Sequence, residues 1–372
     1  MRVLILSCNT GEGHNSCGKA IQEVFRENGI HCEMEDALRF ISPRVSSVIS
    51  FSFVKIYRYT PGLFRNSYQY LEKHPEMFKR KSKIYQFLTF GTERLYHFIE
   101  ANQYDTVICP HVFSALMLTE VIRRYHVRLR TCFVATDYTC SPSCAQSDLD
   151  LYFIPDESLA EDFVRCGIPR EKLVASGIPI RKEFYKKQEQ AEAKRKIGLA
   201  PGDRHLLIMC GSMGCGPIKK LVQSIVQSMP DNCRVSVVCG TNHRLRQALE
   251  KAHSRNERVR AYGYLQNIPA MMDSADLFLT KPGGISVTEA MQKQLPMVFV
   301  DAVAGCESYN MHFYIHKGVA CSADSTDALA AKTLALLSDA ANLAQMRKGF
   351  DSVHKGNAAQ EIAAYFLTVS TA

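Results

Sequence analysis

The stretch LTKPGGISVTEA, Leu279–Ala290, leads from a buried apolar run into a helical pattern through a proline and two adjacent glycines. Glycines at such a junction let the backbone approach a ligand closely. A helix beginning near Ser286 would point the positive end of its dipole at the same place, which favours a phosphate. A second interpretation stays open, because Ser286 and Glu289 also have the spacing of a capping box, in which Glu289 would bond only to the Ser286 amide.

Apolar runs of strand length alternate with helical patterns in two series along the chain. The first series is VLILS (Val3–Ser7), DTVICP (Asp105–Pro110), RTCFVAT (Arg130–Thr136) and LYFIP (Leu151–Pro155). The second is HLLIMCG (His205–Gly211), RVSVVCG (Arg234–Gly240), VRAYG (Val259–Gly263), LFLT (Leu277–Thr280) and PMVFVD (Pro296–Asp301). Continuous apolar strands separated by helices are typical of parallel sheets covered on both faces. The sequence therefore predicts an α/β protein with two Rossmann-like, doubly wound parallel-sheet domains facing across a cleft.

A polar, charged segment with prolines and glycines separates the two series and indicates a linker that contains a helix. We expect an N-terminal domain over residues 1–178, a linker over 179–202 and a C-terminal domain over 203–344. Residues 345–372 are expected to form C-terminal helices that can return to the N-terminal domain. Within the first domain, residues 39–83 interrupt the alternation as a basic amphipathic insert.

The chain has 372 residues and a net charge of +8, and one segment accounts for the excess. From Arg39 to Lys83 there are ten lysines or arginines against two acids, Glu72 and Glu76, interleaved with aromatic and branched apolar residues. This composition is typical of an element lying on an anionic lipid surface. A buried helical hairpin whose charges face water is the alternative. No nucleic-acid recognition motif accompanies the basic residues, so nucleic acid is not expected as a partner.

No window of the sequence reaches the roughly 18 to 20 apolar residues of a membrane span, and the N-terminus shows no signal-peptide cleavage site. We therefore expect a cytoplasmic protein. Its fourteen cysteines are dispersed, many of them in apolar runs, which indicates small buried side chains and not a disulfide framework. Because none has Cys or His partners at zinc-site spacing, no metal site is expected.

The loop after the first strand, SCNTGEGHNSCGKAI (Ser7–Ile21), opens a helix and nearly matches a dinucleotide fingerprint. With Glu35 or Asp36 at the end of the next strand as the ribose-binding acid, a nicotinamide-dependent enzyme is an alternative. His14 favours another use of the loop, since its ring would crowd a pyrophosphate but could serve as a base or a donor. A simple helix cap is the other role open to His14.

The loop MCGSMGCGPIKK (Met209–Lys220) has the glycine content of a P-loop. Pro217 stands where a P-loop has its lysine, and the magnesium-binding hydroxyl is also absent, so an NTPase is not expected. A proline suits the first turn of a helix, because no amide hydrogen is needed there. The glycines from Gly211 to Gly216 would leave backbone N–H groups for an anion, although an ordinary tight turn could use the same residues.

Taken together, these motifs resemble those of the glycosyltransferases that make glycosyl-diacylglycerols, a family that includes monogalactosyldiacylglycerol synthases and processive diacylglycerol glucosyltransferases. The resemblance covers nearly the whole chain and lies in GEGHNSCGKAI, ATDYTCSP, SGIPIRKEF, GSMGCGP, VVCGTNHRL, VRAYGYLQNIPAMMDSADLFLTKPGGISVTEA and AGCESYN. It implies the GT-B architecture and an inverting transfer of a hexose from a UDP-sugar to diacylglycerol or a related glycolipid, with a β-glycosidic product. It also implies no cofactor beyond the donor substrate, and a peripheral position on the inner face of the cell membrane.

In this family the C-terminal domain is the main holder of the UDP-sugar, so the resemblance implies a donor site there. The diphosphate would bind the two glycine-rich turns, the ribose would bind Glu289, and the uracil would lie at the strand end Gly263–Leu265. The implied donor-site residues are Gly211, Ser212, Met213, Gly214, Gly263, Tyr264, Leu265, Pro282, Gly283, Gly284, Ile285, Glu289, Glu307 and Asn310.

An acceptor hydroxyl is a poor nucleophile at neutral pH and needs a base. The resemblance places this base on the N-terminal side, where Asp137 and His14 are the candidates. Asp137 is predicted to be the base or to orient His14, and His14 to contact the acceptor or the diphosphate. Gly13, His14 and Asp137 are the predicted acceptor-binding residues. The alternative role for Asp137 is a cap of the following turn. Helix N-termini and amides, without a metal ion, would neutralise the charge on the leaving UDP.

The segment AGCESYN departs from the family pattern, because Cys306 replaces the usual glutamine while Glu307 and Asn310 remain. A thiol cannot replace both the donor and the acceptor of an amide, so the sequence leaves the transferred sugar open. Two other enzymes of the same fold stay as alternatives. One is the GlcNAc transferase of lipid-linked peptidoglycan precursors, whose first loop is richer in glycine. The other is UDP-GlcNAc 2-epimerase, which would not need the basic insert.

Overall fold

The computed structural model describes residues 1–211, 214, 216–300, 305–353 and 356–368, with the backbone only at positions 53, 54, 57–59, 61 and 64. The chain forms two compact units. Unit 1 comprises Met1–Arg181, Val303–Tyr309 and Lys355–Ala372, and unit 2 comprises Lys182–Ala302 and Asn310–His354. The first boundary between the units, after Arg181, lies inside the segment 179–202 that the sequence assigns to the linker.

Unit 1 is built on a parallel sheet of six strands in the order β2-β1-β3-β4-β5-β6. The strands are β1 (Arg2–Ser7), β2 (His31–Asp36), β3 (Thr106–Cys109), β4 (Arg130–Val134), β5 (Leu151–Ile154) and β6 (Leu173–Ala175). Val3 in β1 pairs with Cys32 on one side and with Thr106 on the other. All four residues of β3 are buried, because helices cover both faces of a parallel sheet.

The helices of unit 1 before the first boundary are α1 (Glu12–Glu27), α2 (Ala37–Ile41), α3 (Pro43–Tyr59), α4 (Pro61–Lys73), α5 (Lys83–Leu88), α6 (Thr92–Ala101), α7 (Val112–Tyr125) and α8 (Ala160–Arg165). The basic segment 39–83 therefore forms mainly the two helices α3 and α4. Pro43 and Pro61 occupy the first position of these helices, where a proline costs no hydrogen bond. Ser42 caps α3 by accepting from the Arg44 amide at 3.2 Å.

Unit 2 has a second parallel sheet of six strands, in the Rossmann order β12-β11-β10-β7-β8-β9. The strands are β7 (Arg204–Met209), β8 (Cys233–Val238), β9 (Val259–Tyr262), β10 (Leu277–Thr280), β11 (Met297–Phe299) and β12 (Ala320–Ser322). The helices that accompany them are α9 (Gln190–Lys196), α10 (Ile218–Ser228), α11 (His243–Ala252), α12 (Ile268–Ser274), α13 (Gly284–Gln292), α14 (Cys306–His316), α15 (Thr326–Ser338) and α16 (Ala340–Gly349). The unit boundary at Tyr309 and Asn310 leaves the first four residues of α14 in unit 1.

The last described helix, α17 (Ala358–Thr368), belongs to unit 1. Arg130 at the start of β4 donates from Nη1 to the Phe366 carbonyl oxygen at 2.9 Å. The Phe366 ring lies 6.5 Å from the ring of Phe153 in β5, and Ile362 is fully buried. Burial of this apolar face against α1 and Phe153 holds α17 on unit 1.

The prediction of an α/β protein with two doubly wound parallel sheets is confirmed. The sequence did not predict β6 and β12. These strands have only three residues each, LVA and ACS, which is too short to stand out as apolar runs.

Candidate functional site

The turn that carries the two adjacent glycines connects β10 to α13 in unit 2. Gly283 is the N-cap of α13, and no side chain among the described residues caps this helix. The amide groups of its first turn are therefore available to a ligand at the carboxyl edge of the sheet. Asn310 Nδ2 donates to the Pro282 carbonyl oxygen at 2.9 Å and holds the turn from α14.

The helix begins at Gly284, two residues before the position expected from the sequence. Ser286 is therefore the third residue of α13 and not its N-cap, so the interpretation of Ser286 and Glu289 as a capping box is wrong. Glu289 lies in the second turn with 7% of its surface exposed. A carboxylate buried to this extent requires polar partners, which a solvent-facing helix cap would not. Its role as the ribose-binding residue stays a prediction.

The loop after β7 lies beside this turn, because β7 and β10 are neighbours that pair Met209 with Thr280. Gly214 has a φ of +54°, and a Cβ there would lie 2.5 Å from the Cys239 carbonyl oxygen, so only glycine fits. Asn242 Nδ2 donates to the Gly214 carbonyl oxygen at 3.0 Å and fixes the loop. Ser212 and Met213 lie outside the described residues.

Two further features complete this edge of unit 2. Lys281 is buried next to the loop, since a Cβ on Gly211 would lie 3.7 Å from its Cε. Pro217 is the N-cap of α10, which begins at Ile218, so the proline stands one place before the first turn that the sequence predicted.

The strand end after β9 lies two strands from the Gly211 loop, at the same carboxyl edge. Tyr264 is largely exposed there, between the partly exposed Gly263 and Leu265. The residues of unit 2 that are predicted to bind the donor, where the structure describes them, thus lie along one edge of its sheet. They are Gly211, Gly214, Gly263, Tyr264, Leu265, Pro282, Gly283, Gly284, Ile285, Glu289 and Asn310. Glu307 is buried and belongs to unit 1, so its donor-binding role stays a prediction.

In unit 1, the loop after β1 is fixed by a chain of side-chain hydrogen bonds. Ser7 Oγ donates to Asn15 Oδ1 at 2.8 Å, and Asn15 Nδ2 donates to Asn9 Oδ1 at 2.9 Å. Asp36 accepts from the Asn9 amide and side chain, the Leu38 amide and the Ser46 hydroxyl. These four donors use the acceptor capacity of the Asp36 carboxylate, so Asp36 is not a ribose-binding acid. The other candidate, Glu35, forms an ion pair with Arg39. The alternative of a nicotinamide-dependent enzyme is therefore left without a ribose-binding acid.

His14 is the third residue of α1, whose N-cap is Gly11, so it is not the helix cap. Its Nδ1 donates to the Pro110 carbonyl oxygen at 2.9 Å and lies 3.0 Å from Thr136 Oγ1. Because a carbonyl oxygen only accepts, Nδ1 carries the hydrogen and the lone pair is on Nε2. Burial lowers the pKa of His14, against a smaller opposing effect of the Pro110 hydrogen bond, and keeps the ring neutral at pH 7.

His111 lies against His14, with ring centroids 4.4 Å apart in an edge-on arrangement. The Phe113 amide donates to its Nδ1 at 3.0 Å, so Nε2 carries the hydrogen and donates to Thr10 Oγ1 at 3.1 Å. Burial lowers the pKa of His111 well below its usual value, and the neighbouring His14 lowers it further. The sequence reasoning missed His111, although a histidine directly after the strand end at Pro110 was a signal for this edge.

Asp137 follows β4 and Thr136, so it reaches the same edge of the unit 1 sheet as His14. The carboxylate is partly exposed and accepts a hydrogen bond from the thiol of Cys306. Gly13 and His14, in the first turn of α1, and Asp137, after β4, therefore lie at one edge of the unit 1 sheet, and their predicted roles at an acceptor site stay predictions. The sequence reasoning did not connect Cys306 with Asp137, because the two are far apart in the chain.

No group of three or more His, Cys, Asp and Glu side chains is arranged to hold a metal ion within the described ranges.

Comparison with known proteins gives two family matches. Residues 14–180 match the family described as monogalactosyldiacylglycerol (MGDG) synthase, and residues 190–350 match glycosyl transferases group 1. The processive diacylglycerol beta-glucosyltransferase of Bacillus cereus (strain AH187) is 30% identical over 364 residues, which cover 97% of this chain and 92% of that protein.

Solved structures with similar folds cover nearly the whole chain. MurG of Acinetobacter baumannii has a TM-score of 0.68 at 12% identity, with 99% of each chain covered. Anabaena Alr3699/HepE, solved in complex with UDP, has a TM-score of 0.56 at 13% identity, with 98% of this chain and 95% of that chain covered. These similarities show the fold, which is the GT-B architecture.

Proposed function

Because the chain belongs to the family of monogalactosyldiacylglycerol synthases and processive diacylglycerol beta-glucosyltransferases, we propose that it transfers a hexose from a UDP-sugar to diacylglycerol or a related glycolipid. The reaction inverts the anomeric carbon and forms a β-glycosidic bond. The observation that carries the proposal is the 30% identity to a relative of this name over 97% of the chain. The UDP bound to the similarly folded Alr3699/HepE supports a UDP-linked donor.

The donor site of this proposal lies on unit 2. The diphosphate binds the uncapped first turn of α13 and the loop at Gly211 and Gly214, where backbone amides and the helix dipole stabilise negative charge. Lys281 adds a buried positive charge next to this loop. These groups also stabilise the charge that develops on UDP as it leaves. Asn310 acts indirectly, because its side-chain amide is bound to the Pro282 carbonyl oxygen and shapes the turn.

Glu289 binds the ribose in this proposal. A ribose diol offers two hydroxyl donors to the two oxygens of one carboxylate, and hydrogen bonds to an ionised acceptor are stronger than neutral ones. Its position in the second turn of α13 places it behind the phosphate-binding amides on the same helix. At the end of β9, between Gly263 and Leu265, the exposed ring of Tyr264 offers an aromatic surface to the uracil.

The acceptor site and the base lie on unit 1. Asp137 takes the proton from the acceptor hydroxyl as this oxygen attacks the anomeric carbon. Burial lowers the pKa of His14 and keeps its ring neutral at pH 7. Pro110 and Thr136 hold its ring with the Nε2 lone pair available as an acceptor, so His14 positions the acceptor hydroxyl.

The surface that meets the lipid is formed by α3, α4 and the segment that follows them. Several large apolar side chains in this region are more than half exposed, namely Val48, Phe51, Leu63, Tyr70 and Phe90. Lys55 Nζ lies 4.3 Å from the centre of the Phe51 ring, so charge and apolar surface alternate as an anionic bilayer surface requires. The proposed location is peripheral, on the inner face of the cell membrane. Among the helices of the described residues, none combines the length and the hydropathy to cross a bilayer.

One basic residue of the segment has a structural role that the sequence did not reveal. Arg80 Nη2 donates at 3.1 Å to Glu120, a buried carboxylate that also accepts from Tyr85 and from Arg124. Arg80 therefore compensates a buried charge, and we assign the lipid contact to the exposed lysines around it, Lys79, Lys81 and Lys83.

The test is a transfer assay with the full chain. Radiolabelled UDP-glucose, UDP-galactose and UDP-GlcNAc are incubated separately with vesicles of diacylglycerol and anionic phospholipid, and lipid products are separated from free sugar. Label in the lipid fraction with at least one donor is expected, and a parallel reaction with vesicles lacking diacylglycerol is the control. Absence of labelled lipid with all three donors contradicts the proposal, and epimerisation of UDP-GlcNAc without lipid would replace it with the epimerase function.

A further inference from the structure

Cys306 is the first residue of α14, and its thiol lies against the loop that follows β4. We infer that Cys306 is a positioning residue for Asp137, because its Sγ–H group donates a hydrogen bond to the Asp137 carboxylate. This inference rests on the proposed function, in which Asp137 is the base of the transfer reaction. Nothing in the general mechanism of sugar transfer requires a thiol at this place.

Gly305, directly before Cys306, is constrained by its packing. Gly305 has a φ of +64°, and a Cβ there would lie 2.4 Å from two ring carbons of Tyr68 in α4. Since real Cβ atoms do not approach other atoms this closely, the Tyr68 ring packs directly on the Gly305 backbone and only glycine fits. The aromatic ring therefore covers the turn that presents the thiol to Asp137.

The charge distribution keeps the thiol in its donor form. Burial raises the pKa of Cys306, and the carboxylates of Asp137 and Glu307 raise it further, so Sγ stays protonated at neutral pH. A protonated thiol can only donate to a carboxylate, and this fixes one carboxylate oxygen. The hydrogen bond thereby restrains the rotation of the Asp137 carboxylate, which in the proposed function accepts the proton of the acceptor hydroxyl.

A weak hydrogen-bond donor such as a thiol is a suitable partner for a carboxylate that acts as a base. A strong donor stabilises the ionised form of a carboxylate and makes it less basic, whereas an S–H group is a weak donor. Cys306 can therefore orient the carboxylate at a smaller loss of basicity than a hydroxyl or an amide would cause. A stronger donor at position 306 should therefore lower the pKa of the Asp137 carboxylate, and loss of the donor should raise it.

Other titratable groups surround Cys306 and Asp137, and their effects on the pH dependence have to be distinguished from those of this pair. Tyr68 faces Cys306, Asp137, Glu72 and Tyr309, and burial raises the pKa of its phenol above the usual range. Tyr309 donates a hydrogen bond to Glu72, whose pKa is raised by burial. A Tyr68→Phe variant keeps the ring on Gly305 and removes the phenol, which makes it the matched control for any effect on pH dependence.

The first measurement is the pH dependence of kcat/KM for Cys306→Ser, Cys306→Ala and Tyr68→Phe. The acid limb reports the ionisation of the base in the free enzyme. The stronger serine donor should move this limb to lower pH, and loss of the donor in Cys306→Ala should move it to higher pH. The alanine variant should also lose about 10-fold in kcat with little change in KM for the UDP-sugar, and serine should restore part of this loss. If the acid limb of kcat/KM lies at the same pH in the serine and alanine variants, the inference is overturned.

The second measurement needs no transferase activity. Alkylation of Cys306 by iodoacetamide is followed by peptide mapping in the unaltered protein and in Asp137→Asn, with Cys321 of unit 2 as the internal reference. Removal of the Asp137 charge should lower the pKa of the Cys306 thiol and increase its alkylation rate at pH 8 by at least about threefold, while Cys321 keeps its rate. Unchanged alkylation of Cys306 would refute the pairing. If the unaltered protein makes no glycolipid, the proposed function fails, and the alkylation rates still decide whether the two residues are paired.

Discussion

His14 and Pro110 are joined by a hydrogen bond of 2.9 Å between Nδ1 and the main-chain oxygen, which ties the first turn of α1 to the end of β3. The contact sets the tautomer of the ring and leaves Nε2 as its acceptor atom. The Pro110 carbonyl oxygen thus orients the His14 ring without a carboxylate. The role of Asp137 as the base stays a prediction.

Replacing Asp137 with asparagine should lower kcat by roughly 100-fold or more, because an amide cannot accept the proton of the acceptor hydroxyl. The dissociation constant for UDP should stay within about twofold, since the proposed donor site lies on unit 2. Single-turnover rates and calorimetric UDP titration measure the two quantities. Glu93→Gln, which removes an exposed carboxylate from α6, is the matched control. Near-normal turnover in Asp137→Asn together with loss in His14→Gln would assign the base to His14.

Replacing Glu289 with glutamine should weaken UDP binding by about 1.5 to 3 kcal/mol, or roughly 10- to 150-fold. The amide would turn one acceptor into a donor that faces a ribose hydroxyl. Calorimetric titration of UDP into the variant and the parent measures the difference, and Glu257→Gln, on an exposed part of unit 2, is the control. Because the capping box is excluded, equal dissociation constants would mean that Glu289 has a purely structural role.

Neutralising Lys79, Lys81 and Lys83 together to glutamine should weaken binding to anionic vesicles by roughly 3 kcal/mol, since each lysine near such a surface contributes about 1 kcal/mol. Arg80 is left in place because it pairs with the buried Glu120. Sedimentation with phosphatidylserine vesicles at low and high salt measures the effect. The control variant changes Lys219, Lys251 and Lys348, three exposed lysines of unit 2, and carries the same net charge. Equal sedimentation of both triple variants would remove the lipid contact from this segment.

The stability of the chain should depend on pH through His205, at the buried start of β7. Its Nδ1 donates to Ser274 Oγ at 3.0 Å, and no atom of the described residues hydrogen-bonds to its buried Nε2. Burial is the main reason that the pKa of His205 is lowered from 6.5 to about 4, although Asp276 opposes the shift. Since the unfolded chain binds a proton more readily than the folded one, this stabilisation is complete above pH 6.5 and is lost as the pH falls towards 4.

The loss at pH 4 should be on the order of 3 kcal/mol in the free energy of unfolding. Urea unfolding between pH 7.5 and 4 measures it. His205→Asn can still donate to Ser274 but does not titrate, so its free energy of unfolding should fall less steeply with decreasing pH than that of the parent. Parallel pH profiles for the two proteins would contradict the assignment.

The sequence predicts the sheets of this protein well because buried parallel strands are continuous apolar runs that depend little on distant residues. Helix starts at the site are predicted less well. The motif Ser286-Val-Thr-Glu289 has the composition of a capping box, but the extended backbone at Gly283 lets α13 begin two residues earlier. Gly283 has the extended conformation typical of an N-cap, and residue spacing alone does not show which residue takes that position.

Contacts between distant residues account for the remaining differences. Arg80 belongs to a run of basic residues in the sequence, and only the fold shows the buried Glu120, 40 positions away, that it neutralises. Asp36 has the position of a ribose-binding acid, and only the fold shows that the loop after β1 and α3 use its oxygens. Both residues have local patterns that suggest one role and long-range partners that give them another.

Helix α17 lies after unit 2 in the sequence but packs on α1 of unit 1, and its contact with β4 joins Arg130 and Phe366 across 236 positions. During synthesis on the ribosome, all six strands of unit 1 and the whole of unit 2 emerge before this helix does. The apolar face that receives Ile362 and Phe366 must stay uncovered throughout that time, which exposes the nascent chain to aggregation and to chaperones. Unit 1 therefore starts to fold first and is the last of the two units to be completed.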